Sequence, residues 1–61
     1  MPIVHVDMAQ GRTAEMKEEL IKKVTNAVIE ALHVSKDSVH VVLNELPREN
    51  IGSAGIPLSK K

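Results

Sequence analysis

The residue with the most distinctive chemistry stands at the start of the chain. Met1 precedes Pro2, a residue small enough for methionine aminopeptidase to clear the methionine before it. That cleavage would leave a secondary amine at the head of a strand. An ordinary α-amino group titrates near ~7.7–8, and a prolyl nitrogen is somewhat more basic. An apolar pocket and a nearby arginine would both disfavour its charged form and draw the value toward neutrality. A general base at cellular pH needs that condition. Met-Pro starts are common, so Pro2 alone is a weak signal. The usual catalytic sets are missing, however. There is no cysteine. Ser35, Ser38, Ser53 and Ser59 lie in no nucleophile-elbow context, and Gly52 and Gly55 do not open a helix after a strand, as a phosphate-binding loop requires. His5, His33 and His40 are far apart in sequence and show no ligand-type spacing, so no metal site and no cofactor is expected.

Composition narrows the classes further. With 61 residues the chain is one domain, residues 1–61, and a chain this short buries only about 60% of the surface its unfolded form exposes. Disulfides and thiolate sites are excluded, which leaves self-association as the support for the fold. A hydrophobic share of 43% is high for so small an interior, and no Phe, Tyr or Trp contributes to it. The core is therefore aliphatic, and no side chain offers a base-stacking platform. Eight basic and eight acidic residues cancel, leaving no footprint for a polyanion. No nucleic-acid partner is expected. Neither a basic leader nor a long apolar run is visible, so no membrane partner and a cytosolic location are expected.

The elements that must position Pro2 follow from periodicity. Ile3 to Met8 alternates and is β-branched, which reads as a strand. Gln10-Gly11 breaks it. Thr13 is a helix N-cap and Glu15 puts negative charge in the first turn; Met16 stands where a full capping box would carry Glu or Gln. From Ala14 to Leu32 the period is helical, with Leu20, Val24, Ala27, Val28 and Ala31 on one face, widened by Ile21 and Leu32. Lys17, Glu18, Lys22 and Glu30 fall mainly on the other side, and Glu18–Lys22 and Glu19–Lys23 are i,i+4 pairs. Val39 to Leu43 forms a second strand whose near-continuous apolar run suggests cover on both faces. Strand, helix and strand make a β-α-β unit with parallel strands in a right-handed crossing. Pro47 ends it. Residues 50–57 are turn-rich and form a hairpin, and Ser59-Lys60-Lys61 is a loose tail. The helix shields one face of a two-stranded sheet and leaves the other bare, with two open edges. That architecture predicts an oligomer.

The ordered set Pro2-Ile3-Val4, Gln10-Gly11-Arg12-Thr13, a long amphipathic helix, Ser38-Val39-His40-Val41-Val42-Leu43-Asn44-Glu45 and Ile51-Gly52-x-x-Gly55 resembles the 4-oxalocrotonate tautomerase family over nearly the whole chain. The resemblance implies an α+β fold: one β-α-β unit plus C-terminal hairpin, dimerising into a four-stranded sheet backed by two helices, with trimers of dimers common. It implies keto–enol tautomerisation of 2-hydroxydienoates such as 2-hydroxymuconate, or of simpler enol acids, with Pro2 moving the proton. Arg12 matches the arginine that binds a substrate carboxylate. Ser38 and Ile51 are carried over as substrate contacts, Ile51 standing where the best-studied members have a pocket phenylalanine. His40 stands where those members have a second arginine. A histidine offers a hydrogen bond there but neither a permanent charge nor a bidentate fork. Arg48 is the nearest alternative source of that charge.

Two other readings compete. A dehalogenase or hydratase on the same scaffold would need a further carboxylate to activate water; Ser53 occupies its region, with Glu49 nearby in sequence. A non-catalytic oligomeric binding protein would keep the fold and lose the chemistry. Retention of Met1 would turn the Pro2 nitrogen into an amide and leave only that last reading.

Overall fold

The computed structural model describes residues 1–61. Its elements run β1 (Ile3–Ala9), α1 (Ala14–Leu32), β2 (His40–Leu46), β3 (Gly52–Ser53) and β4 (Ile56–Pro57), with short 3-10 turns at Lys36–Ser38, Arg48–Asn50 and Leu58–Lys60. β1 and β2 pair in parallel, from Ile3 beside His40 to Ala9 beside Leu46. β3 and β4 form a separate antiparallel hairpin. Its two loop residues both have positive φ, Ala54 at 56° and Gly55 at 81°, as a type I′ turn requires.

The helix begins and ends at the residues its pattern predicts. Thr13 is extended, and its Oγ1 accepts from Met16 N–H at 3.1 Å, which satisfies one of the donors a helix start leaves free. His33 ends the helix in the left-handed region, φ 57°, its N–H donating to the Ile29 carbonyl. The helix faces the sheet along Lys17, Leu20, Val24 and Val28, with Thr25 and Ile29 also half-buried, whereas Ala27 and Ala31 are exposed. Ile21 is 40% and Leu32 57% exposed, so neither widens the packed stripe.

The sheet alternates along both strands. Val4, Val6 and Met8 of β1 and Val41, Leu43 and Glu45 of β2 are half-buried, while Ile3, His5, Asp7, His40, Val42 and Asn44 are exposed on the opposite face. The second strand therefore starts one residue later than its apolar run suggested, runs to Leu46, and is covered on one face only. Asn44 and Glu45 hide that continuation in the sequence, because polar residues look like a strand end. Two further expectations change. His5 and His40 are remote in sequence, yet the register puts His40 beside Ile3 and His5 beside Val42 on one face, a diagonal apart. The C-terminal tail is not wholly loose, since Leu58–Lys60 turns and Leu58 N–H reaches the Ile51 carbonyl at 2.8 Å.

No residue of the isolated chain is buried. A compact monomer of 6.7 kDa exposes about 3,900 Å², whereas this chain exposes 4645 Å². Its radius of gyration is 14.4 Å against about 10.5 Å for a compact domain of this length. The shape is a slab 14 Å thick: one helix on one sheet. Its apolar surface is that of a piece that packs against something else.

Candidate active site

The residues predicted to do chemistry divide between two ends of the slab. Pro2 immediately precedes β1, and its carbonyl accepts from His40 N–H at 3.0 Å. That bond pairs the start of β1 with the start of β2 and brings Pro2, His40 and Ser38 together at one end. The His40 side chain is exposed on the open face, beside Ile3. Ser38 donates its hydroxyl to the Ser35 carbonyl at 2.8 Å, so its proton is committed to the turn that leads into β2. Met1 is 80% exposed.

Arg12, Arg48 and Ile51 occupy the other end. The seven residues of β1 span about 23 Å, and Arg12 lies three residues beyond them. No arginine reaches across that distance to Pro2 of its own chain. The turn carrying Arg12 is held from both sides: Gln10 N–H donates to the Leu46 carbonyl at 3.0 Å, and Thr13 caps the helix that follows. Arg48 opens the 3-10 turn after Pro47, where Asn50 N–H donates to the Pro47 carbonyl at 2.9 Å. Both guanidinium groups are exposed and neither is in an ion pair. Ile51 is half-buried between that turn and the hairpin. Two unpaired guanidinium groups at one end can hold a carboxylate, and Ile51 adds an apolar wall.

One pair at this end escaped the sequence reading. Lys17 does not point to solvent. Its Nζ lies 2.9 Å from Glu45 Oε1, and both side chains are about 30% exposed. The signal was present: Glu45 continues the inward alternation of Val41 and Leu43, and Lys17 is one turn below Leu20 on the packed stripe. Of the two i,i+4 pairs on the helix, Glu19–Lys23 forms at 3.5 Å and Glu18–Lys22 does not.

No three His, Asp or Glu side chains gather in the chain as a metal would require. An open trough on α1 is lined by Glu15, Met16, Glu19, Leu20 and Lys23. None of the predicted site residues lines it. The predicted site residues and the trough are thus in different places. No helix is long and apolar enough to cross a membrane.

Comparison with known proteins places the whole chain in one fold. A family model described as "Tautomerase enzyme" matches residues 2–61. A probable tautomerase of Halalkalibacterium halodurans is 41% identical over 59 residues, 97% of each chain. The 2-hydroxymuconate tautomerase of Pseudomonas sp. (strain CF600) is 38% identical over 60 residues, covering 98% of this chain and 95% of its own. A heterohexamer 4-oxalocrotonate tautomerase from Chloroflexus aurantiacus superposes with a TM-score of 0.94 at 27% identity, over 98% of this chain and 97% of that one.

Proposed function

The chain belongs to the tautomerase enzyme family, and from that premise we propose that it converts 2-hydroxydienoates or simpler enol acids to their 2-oxo isomers, with Pro2 as the proton carrier. In this reading Met1 is removed and the Pro2 nitrogen is a free secondary amine. It takes the proton of the 2-hydroxyl group, the enol electrons reform the carbonyl, and the proton returns to a carbon of the chain. No atom is gained or lost. The amine is base in the first half and acid in the second, so a nitrogen near neutrality serves both. Arg12 holds a substrate carboxylate and draws negative charge away from the reacting carbons. Ile51 keeps the site apolar, and His40 or Arg48 assists at the remaining oxygen. Ser38 supports the head of β2 beside Pro2.

The observation that carries this reading is the division of the site. Pro2 and Arg12 lie at opposite ends of one slab, and that slab buries none of its residues. Two copies running antiparallel, edge to edge, bring one chain's Pro2 end beside the other's Arg12 end. The same step joins two β1–β2 pairs into four strands and covers an open edge. A homo-oligomer is then required for catalysis as well as for stability. A relative whose name includes 2-hydroxymuconate tautomerase supports that substrate as the first to assay, and a heterohexameric neighbour supports assembly.

The test has two parts. Mass spectrometry of the natural protein is expected to give a mass lacking one methionine. Pro2→Ala, with Met1 still removed, is expected to slow ketonisation of 2-hydroxymuconate by about a hundredfold. Turnover unchanged in that variant sinks Pro2 as the base, and a retained Met1 sinks the whole scheme.

A further inference from the structure

We infer that the open face of the β1–β2 sheet is a second contact between copies, and that His5 and His40 make this contact come apart in acid. The inference rests on the edge-paired copies of the reading above, whose joined sheets leave this face bare. A parallel sheet is found almost only with both faces covered, and α1 covers one. The open face carries Ile3, 55% exposed, and Val42, 41% exposed. The register sets His40 beside Ile3 and His5 beside Val42. Residues paired across two strands are about 4.8 Å apart. Each aliphatic side chain on this face therefore has an imidazole as its cross-strand neighbour. A cover that excludes water from the one encloses the other.

The charge on the face selects another copy as that cover. His5, Asp7 and His40 are its titratable side chains, and it has no Lys or Arg. The third row pairs Asp7 with Asn44, whose Nδ2 donates to Asp7 Oδ1 at 3.0 Å. With neutral imidazoles, two such faces meet without opposing cations, and a highly charged partner finds only one carboxylate, already engaged. The area fits as well. The chain exposes 4645 Å², about 700 Å² more than a compact monomer of its size, and one partner of a stable interface contributes about 800 Å². Histidine is the side chain whose charge changes between about pH 5 and 8. Enclosing an imidazolium against aliphatic groups is costly, so the separated face binds more protons than the covered one, and falling pH favours separation. Two imidazolium groups against one carboxylate also leave each face positive, and matching faces then repel. A free Pro2 amine titrates near this range too, but Pro2 falls in the half-buried row of Val4 and Val6.

Sedimentation velocity of the full chain at about pH 8 and about pH 5.5 tests this. The expected species is larger than a dimer at the higher pH and an edge-paired dimer at the lower, with the dissociation constant of the face contact raised at least about tenfold. The double variant His5→Gln, His40→Gln is expected to stay assembled at both. His33→Gln is the control, because His33 caps the end of α1 and lies outside both strands; it should respond as the native chain does. Val42→Asp puts a fixed charge in the middle row of the face and should give the dimer at both pH values, with circular dichroism reporting that the fold is kept. A dimer already present at the higher pH overturns the inference and leaves the edge pairing standing; a monomer there overturns both. An assembly that keeps its size at the lower pH, or a double variant that still comes apart in acid, overturns the inference as well.

Discussion

At one end of the β1–β2 pair stand Pro2, Ser38 and His40; at the other stand two guanidinium groups that make no ion pair, Arg12 on a turn tied to β2 and Arg48 on a short 3-10 turn. The Pro2 end is held by the backbone bond from His40 N–H to Pro2 and by the turn before β2, in which Ser38 bonds the Ser35 carbonyl. The Arg12 end is held by a helix cap, a backbone bond to Leu46 and an ion pair. The contrast suits the two tasks. A base near neutrality must sit in an apolar setting with its charged form disfavoured. A carboxylate binder must present fixed charge, and fixed charge needs a scaffold. Placing both in one chain, about a strand's length apart, keeps each setting uncompromised, and it makes the isolated copy inert under the proposed reading. Activity then becomes a property of association.

The sharpest way to break this comparison is to split the ends between chains. Assayed at substrate well below KM, Pro2→Ala and Arg12→Ala are each expected to retain no more than about a tenth to a hundredth of native turnover. If every site takes Pro2 from one copy and Arg12 from another, co-assembly of equal amounts leaves both intact in about a quarter of the sites. Turnover should rise to about that fraction of the native rate. Mixed assemblies no more active than the separate variants would mean that the two ends do not meet.

The sequence shows the elements better than it shows their surroundings. Helix bounds, parallel pairing and hairpin were legible because each follows from local period, caps and turn residues: Thr13, the alternation of Val4 and Val6, Ala54-Gly55. The candidate residues were legible only through an ordered resemblance, since neither Pro2 nor Arg12 is specific by itself. What was not legible depends on tertiary contact. Val41-Val42-Leu43 reads as covered on both sides, yet Val42 is 41% exposed, because its second cover must come from outside the chain. Lys17 reads as a solvent residue on a helical wheel, yet it turns inward because Glu45 waits on β2. His5 and His40 become neighbours only once the register is set.

A smaller effect sharpens which cation matters at the far end. Arg12 follows a turn tied to β2, whereas Arg48 lies in a short 3-10 turn with no side-chain anchor. Removing a charge-assisted hydrogen bond to a substrate carboxylate raises KM about tenfold to a hundredfold, the expected result for Arg12→Ala. Arg48→Gln should change KM less than about threefold, as a solvated charge does. Steady-state kinetics on 2-hydroxymuconate checks both. Equal effects would make the far end a two-arginine clamp and remove the distinction drawn between its turns.

The smallest effect compares the ends of α1 itself and touches stability only. At the Arg12 end Thr13 caps well, with its Oγ1 3.1 Å from Met16 N. Thr13→Ala should cost about 1 kcal/mol. At the opposite end His33 holds a left-handed conformation, φ 57°, that a side chain disfavours, and the last turn carries no basic residue. His33→Gly relieves that strain and supplies the usual residue for such a cap, so a gain of about 0.5–1 kcal/mol is expected. Chemical denaturation at one fixed protein concentration measures both, since assembly contributes to apparent stability. Opposite signs are the prediction. They follow from one helix being capped by a side chain where it follows the Arg12 turn and left strained where it leads back toward Pro2.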